Sequence, residues 1–302
     1  MGFLVETLRS SAGHLKAPLL ARAAKAYISG PELSDALISC RSLSERGYAT
    51  TVGLWNVRGE APQRIADAQR LSIGVLGAQG LDTYCSIKVP ALEYRRDLVE
   101  EIAARAREHG PTAIRRLHFD SHGPETQDQT LELAEQVAAQ GGAVGVTLPG
   151  RWRRSLHDAE VAIERGHAVR VVKGQWPEVP GELDDPRDGF LKVIDRLAGR
   201  ASSVAVATHD PVLAAEALSL LKQRGTSAEL ELLLGLPSRA VLRAADALGA
   251  RVRVYVPYGY GWLPYSLGQA AERPSVAWWI VKDALLGGAL GLPRRRAAST
   301  SL

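Results

Sequence analysis

Of 302 residues, only two are cysteine (Cys40 and Cys85), one is methionine and three are phenylalanine. Two thiols exclude a disulfide scaffold and fit a reducing compartment. Cys85 lies mid-strand in an apolar stretch and reads as a small buried hydrophobe, not a nucleophile. There is no run of 18 apolar residues, so no membrane span is expected. The start, MGFLVE, has glutamate at position six, off the myristoylation pattern, and lacks the basic start, apolar core and cleavage site of a secretory signal. A cytoplasmic location is expected, with peripheral membrane contact through a basic C-terminal tail as the sharper alternative. HExxH, paired CxxC and spaced His/carboxylate ligands are missing, so no metal is expected. Without GxSxG the usual serine hydrolase is excluded, and no GxGxxG follows the first strand. The net charge of +4 is diffuse and no basic stripe with interleaved aromatics occurs, which argues against nucleic acid. Lysine is scarce, seven against thirty arginines, so the position of each lysine is informative.

What is there is ordinary in bulk and regular in order. Apolar residues make up 46% and charged residues 23%, as in a globular protein. Residues 14–46 carry helical periodicity broken at Ser29-Gly30-Pro31, an N-terminal helical arm (1–46) that either covers a barrel bottom or reaches a neighbour. Eight short β-branched stretches then recur, at 48–55, 82–89, 115–120, 143–148, 167–174, 202–209, 228–235 and 251–257. Amphipathic segments that close on glycine separate several of them. Eight strand–helix units in this length predict an α/β fold, a (β/α)8 TIM-type barrel over 47–290, ahead of an open doubly wound sheet. The end, 291–302, reads as a flexible basic tail.

Barrel active sites form at the C-terminal ends of the strands. Those ends supply Lys88, Asp120, Lys173, Thr208, His209 and Tyr255. Any one of them alone would read as the opening of a solvated loop; six on one rim read as a site. His118 beside Asp120 is expected to face outward or into the barrel wall. After strand eight, Tyr265, Gly268, Gln269 and Glu272 share one helical face and read, with Tyr255, as the pocket wall that decides the substrate.

The strings SIKVPAL (86–92), LHFD (117–120), VRVVKG (169–174), VATHD (206–210), ELLLG (231–235) and YVPYG…PY…AERP (255–274) resemble, in order, the motifs of proline dehydrogenase. That family is an FAD-dependent (β/α)8 barrel oxidising proline to pyrroline-5-carboxylate, and the resemblance runs from about residue 27 to 290. It implies FAD as cofactor. Arg170, Val172, Lys173 and Gly174 would lie along the flavin, with Arg170 near N5, and Thr208, His209 and Glu272 would hold other parts. Lys88, Asp120, Leu233, Tyr255 and Tyr265 would line the substrate side. The protein's share of such chemistry is to orient and tune the cofactor.

The departures matter as much. The family clamps the proline carboxylate with two adjacent arginines and a lysine; here the arginine positions hold Gly268 and Gln269. Charge-assisted bonds of that kind are each worth about 1.5–3 kcal/mol. Gln175-Trp176 replaces Ala-Tyr, and Pro149 stands where strand four presents a glutamine. Three readings stay open. One is an FAD oxidoreductase that takes hydride from a carbon next to nitrogen in an amine or N–N compound lacking a clamped free carboxylate. Another is proline dehydrogenase proper, with Arg151 or Arg153 completing the clamp. The last is a non-catalytic flavin- or partner-binding homologue. The implied partners are a small amine-type substrate and an electron acceptor (oxygen, quinone or protein).

Overall fold

A computed structural model describes residues 29–109, 112–175, 178, 185–261 and 292–295. Eight parallel strands close into a barrel in chain order: β1 (Ala49–Leu54), β2 (Thr83–Lys88), β3 (Arg116–Asp120), β4 (Ala143–Pro149), β5 (Ala168–Val172), β6 (Val204–Ala207), β7 (Ala228–Leu233) and β8 (Arg251–Tyr258). Seven helices alternate with them: α2 (Pro62–Gly77), α3 (Arg96–Arg107), α4 (Gln127–Ala139), α5 (Ser155–Glu164), α6 (Pro186–Leu197), α7 (Pro211–Gln223) and α8 (Arg239–Leu248). Local chemistry sets several ends. Asp185 and Asp210 cap α6 and α7 through backbone N–H groups of the first turn, each followed by proline at the first helical position. Gly249 ends α8 in the left-handed region, at φ 65°.

An eighth helix, α1 (Leu33–Glu45), precedes the barrel and packs against β8 and β1. It buries Ala36, Cys40 and Leu43 there. Ser29 adds a strand-like contact, its N–H and hydroxyl both donating to the Pro257 carbonyl, at 3.2 and 3.0 Å. The described part of the N-terminal arm lies against the β8–β1 flank of the barrel. Residues 292–295, read from sequence as the start of a flexible tail, are anchored: Arg295 pairs with Asp246, its N–H donates to the Arg46 carbonyl, and Tyr48 donates to the Pro293 carbonyl.

Outward strand residues such as Val52, Ile87, Phe119, Leu148, Val171 and Leu232 form the apolar layer beneath the helices. Cys85 lies in this layer, wholly buried, and burial pushes its thiol up to about 12, as expected of an inert hydrophobe. The lumen is different. Its inward positions include Thr51, Tyr84, His118, Arg170, Glu231 and Arg253, all buried. His118 shares the inward face with Asp120, correcting the outward reading, because residues two apart on a strand face the same side. Towards the N-terminal end a cavity of about 550 Å³ opens, lined in part by Tyr84, Arg116, His118, Glu229 and Arg253; none of the six rim residues lines it.

Candidate active site

At the C-terminal end of the lumen, charged side chains from four strands meet. Arg170 (β5) is the hub. Its Nε and Nη2 donate to the two oxygens of Glu231 (β7), both at 2.8 Å, the fork geometry that suits guanidinium and carboxylate. Nη1 turns to Asp120 (β3) at 3.1 Å and to the Thr147 hydroxyl (β4) at 3.4 Å. Burial alone would depress the guanidinium; Glu231 and Asp120 outweigh it and hold Arg170 well above its ordinary value.

Asp120 is fixed from three sides. Ser86 and Thr147 donate to it, and Arg170 pairs with it. Burial raises its pKa, but Arg170, His118 and the two hydroxyls bring it below the usual carboxylate value, so it stays ionised. Thr147 donates its only proton to Asp120, so it accepts from His118 Nε2–H, at 2.9 Å. His118 is thereby the Nε2–H tautomer. Burial, then Arg170, holds its pKa well below 6.5, so it is neutral.

Lys88 (β2) sits in register with Asp120. Its ammonium donates to the Leu54 carbonyl at 3.2 Å and lies 4.9 Å from the centre of the Trp55 ring. Desolvation lowers it to about 8, against a smaller opposing pull from Asp120. Tyr255 (β8) crosses the lumen towards β1 and β2; its hydroxyl neighbours Ser86 and Trp55, and the Arg170 guanidinium lies 5.4 Å from its ring centre. Only glycine at position 53 permits this, since a Cβ there would overlap the Tyr255 hydroxyl. Leu233 pairs in register with Tyr255.

The expected cofactor residues lie on the adjoining rim of β5 and β6. Lys173 Nζ is 3.4 Å from Asp210 with its side chain 42% exposed. Gly174 turns at φ 90°, where a Cβ would come within 2.9 Å of Pro149 Cβ. Thr208 accepts from the Asp210 N–H at 3.2 Å and keeps its hydroxyl proton to donate. His209 is committed within the protein: one ring nitrogen accepts from Leu233 N–H and the other donates to the Pro237 carbonyl, each at 3.0 Å. It can offer a ligand only its ring face. Trp176, Tyr265, Gly268, Gln269 and Glu272 lie outside the described residues.

The structure thus brings Lys88, Asp120, Arg170, Leu233 and Tyr255 together at one end of the lumen, with Val172, Lys173, Gly174 and Thr208 on the β5–β6 side. It adds Thr51, Ser86, Thr147 and Glu231, which the strand ends did not reveal. The available signal was alternation of charge in AELELL: in an all-parallel barrel both faces of a strand are covered, so its glutamates must enter the lumen. Among the described residues no cluster of histidine, cysteine and carboxylates could hold a metal ion, and no helix is long and apolar enough to cross a membrane.

No family model matches the chain. It is 24% identical over 281 residues to Proline dehydrogenase 1 of Bacillus subtilis (strain 168), covering 87% of this chain and 90% of that one. It is 28% identical over 287 residues to the proline dehydrogenase of Deinococcus radiodurans, with the same coverage. Among solved structures, proline utilization A of Bdellovibrio bacteriovorus, inactivated by N-propargylglycine, matches 99% of this chain with a TM-score of 0.74 at 16% identity. The protein of the same name from Corynebacterium freiburgense matches with a TM-score of 0.65, also at 16% identity. This chain spans 37% and 36% of those two longer chains, and their likeness is one of fold. Six motifs in order, an eight-stranded barrel and similarity over 87% of the chain agree: the chain resembles proline dehydrogenases along most of its length.

Proposed function

We propose that the chain is an FAD-dependent oxidoreductase that takes hydride from a carbon next to nitrogen, and that its substrate is an amine or N–N compound without a free carboxylate. The observation that carries the reading is the cluster itself: Lys88, Asp120, Arg170 and Tyr255 converge beside a rim that carries the half-exposed Lys173 and the Thr208 hydroxyl. Lys173, paired to Asp210 but 42% exposed, and the Thr208 hydroxyl proton would suit the oxygen-rich, electron-accepting edge of a flavin. When bound, that group supplies a two-electron acceptor.

The residues of this chain position and stabilise. A substrate arriving as an ammonium loses its extra proton to Lys88, whose pKa of about 8 leaves a share of it neutral near that pH. The free amine then gives up hydride from the adjacent carbon while its lone pair forms the C=N bond, so charge and electrons balance with no further base. The resulting iminium is positive, and the fixed, ionised Asp120 is its counter-charge. Tyr255 and Leu233 form the wall against which the carbon skeleton is held.

Two features support a substrate without a carboxylate. Gly268 and Gln269 bring no charge, and Lys88 and Arg170 are matched in the cluster by Asp120 and Glu231. The names of the relatives favour a second reading, proline itself. Its carboxylate would then rely on Lys88 and Arg151, whose guanidinium donates to the Gln175 carbonyl at 3.2 Å on the β4 side of the rim. Anaerobic mixing of FAD-loaded protein with L-proline, proline methyl ester, pyrrolidine and a hydrazine separates the two. Bleaching of flavin absorbance by carboxyl-free compounds but not L-proline is expected. Rapid bleaching by L-proline would favour the second reading, and failure to take up FAD would end both. Gly268→Arg together with Gln269→Arg is expected to raise activity on proline.

A further inference from the structure

We infer that Glu231 is a positioning residue that sets the charge of the substrate chamber through Arg170 and so selects against ligands bearing a free carboxylate. The inference deepens the proposed function and rests on it. Three donors converge on Glu231: the two arms of the Arg170 fork, and the Thr51 hydroxyl at 2.8 Å. Its side chain is 2% exposed, so solvent does little to screen it. Its ionised form is the one that can accept all three bonds.

Two carboxylates, Asp120 and Glu231, thus share one guanidinium, and that group of three carries a charge of −1. Lys88 stands beside this group, and near pH 8 it brings the total of the four to between −1 and 0. His118 adds nothing, because its Nε2 proton is given to Thr147 and its ring is neutral. Tyr255 is uncharged: burial raises its hydroxyl above its ordinary value. An entering carboxylate finds Arg170 spent on fixed anions, and a like-charge approach in a poorly screened site is unfavourable. An amine or ammonium suffers no such penalty.

Glu231 does not reach the substrate, so its effect is tested through charge at constant shape. Glu231→Gln keeps the size of the side chain and an acceptor for Arg170 while raising the chamber charge by one. Calorimetric titration would compare cyclopentanecarboxylate with the neutral cyclopentanecarboxamide. The variant is expected to bind the carboxylate at least tenfold more tightly than the unaltered protein, with amide affinity unchanged. Glu231→Asp, which restores the charge, should return the carboxylate affinity towards its original value. Equal carboxylate affinity in folded Gln and Glu forms would overturn the inference, as would parallel changes for both ligands. If the Gln form does not fold, the unaltered protein gives the answer by its salt response. A chamber without net positive charge should bind the carboxylate no more weakly as salt is added, and marked weakening would refute it. Protein that takes up no FAD would sink the functional reading while leaving this comparison of two ligands intact.

Discussion

The lumen contains two arginines built alike and used differently. Arg170 lies between Glu231 and Asp120; Arg253 lies between Glu229 and Asp82. The glutamates stand two residues apart on β7, and Tyr84 is stacked on Arg253, 4.3 Å from its ring centre. The surroundings differ. The lower group runs out to water, with the side chains of Asp82 42% and Arg251 47% exposed and Arg251 also paired to Asp82. The upper group is closed, Asp120 being 17% exposed and further held by two hydroxyls. A buried ion pair alone is no mark of chemistry. What sets the upper one apart is a depressed lysine, a neutral histidine and a strand-end tyrosine around the same carboxylate.

The largest test of the contrast is Arg170→Met, which strands two carboxylates out of water. It should cost about 3–5 kcal/mol in urea unfolding and abolish turnover. Arg253→Met should cost less, about 1–3 kcal/mol, because Asp82 is already hydrated, and should leave ligand binding at the rim unchanged. Equal losses from the two would erase the distinction. Gly53→Ala drives a methyl into the Tyr255 hydroxyl; it should cost about 1–3 kcal/mol and weaken substrate binding, read from melting and titration.

The remaining test is one of pH. Lys88 falls from 10.5 in the open chain to about 8 in the fold, desolvation being the cause. Between those values the unfolded chain holds more protons than the folded one, so stability rises with pH across that window and declines as pH falls through about 8. Lys88→Met should flatten that rise in denaturant midpoints measured from pH 8 to 10.5. An unchanged slope would place the lysine in water.

How much of this was legible in the chain depends on which face of a strand is asked about. All eight strands were readable from alternation, with ends within a few residues, because Val169, Val171, Val252 and Val254 repeat at period two against the helices. The rim residues followed from the rule that barrels work at strand ends. The charged lumen did not, since Glu229, Glu231 and Arg253 in isolation look like a solvated face. Only closure of the sheet turns that face inward, and closure is a property of eight strands together. His118 was misjudged although its spacing of two from Asp120 already put both on one face, and the partners of Arg170 lie 50 and 61 residues away in sequence. The segment after β8 that was read as the specificity wall lies outside the described residues.

The helix α1 has a consequence for how the molecule is made. It is made before all eight strands, yet the contact just ahead of it, Ser29 with Pro257, spans 228 residues. At roughly 5–20 residues per second, synthesis of the intervening chain takes on the order of ten to forty seconds. Throughout that interval Ala36, Cys40 and Leu43 have no β8 to lie against. The stripe can meet β1 early, but its β8 side stays uncovered until β8 has been made, so the docking of α1 is completed late.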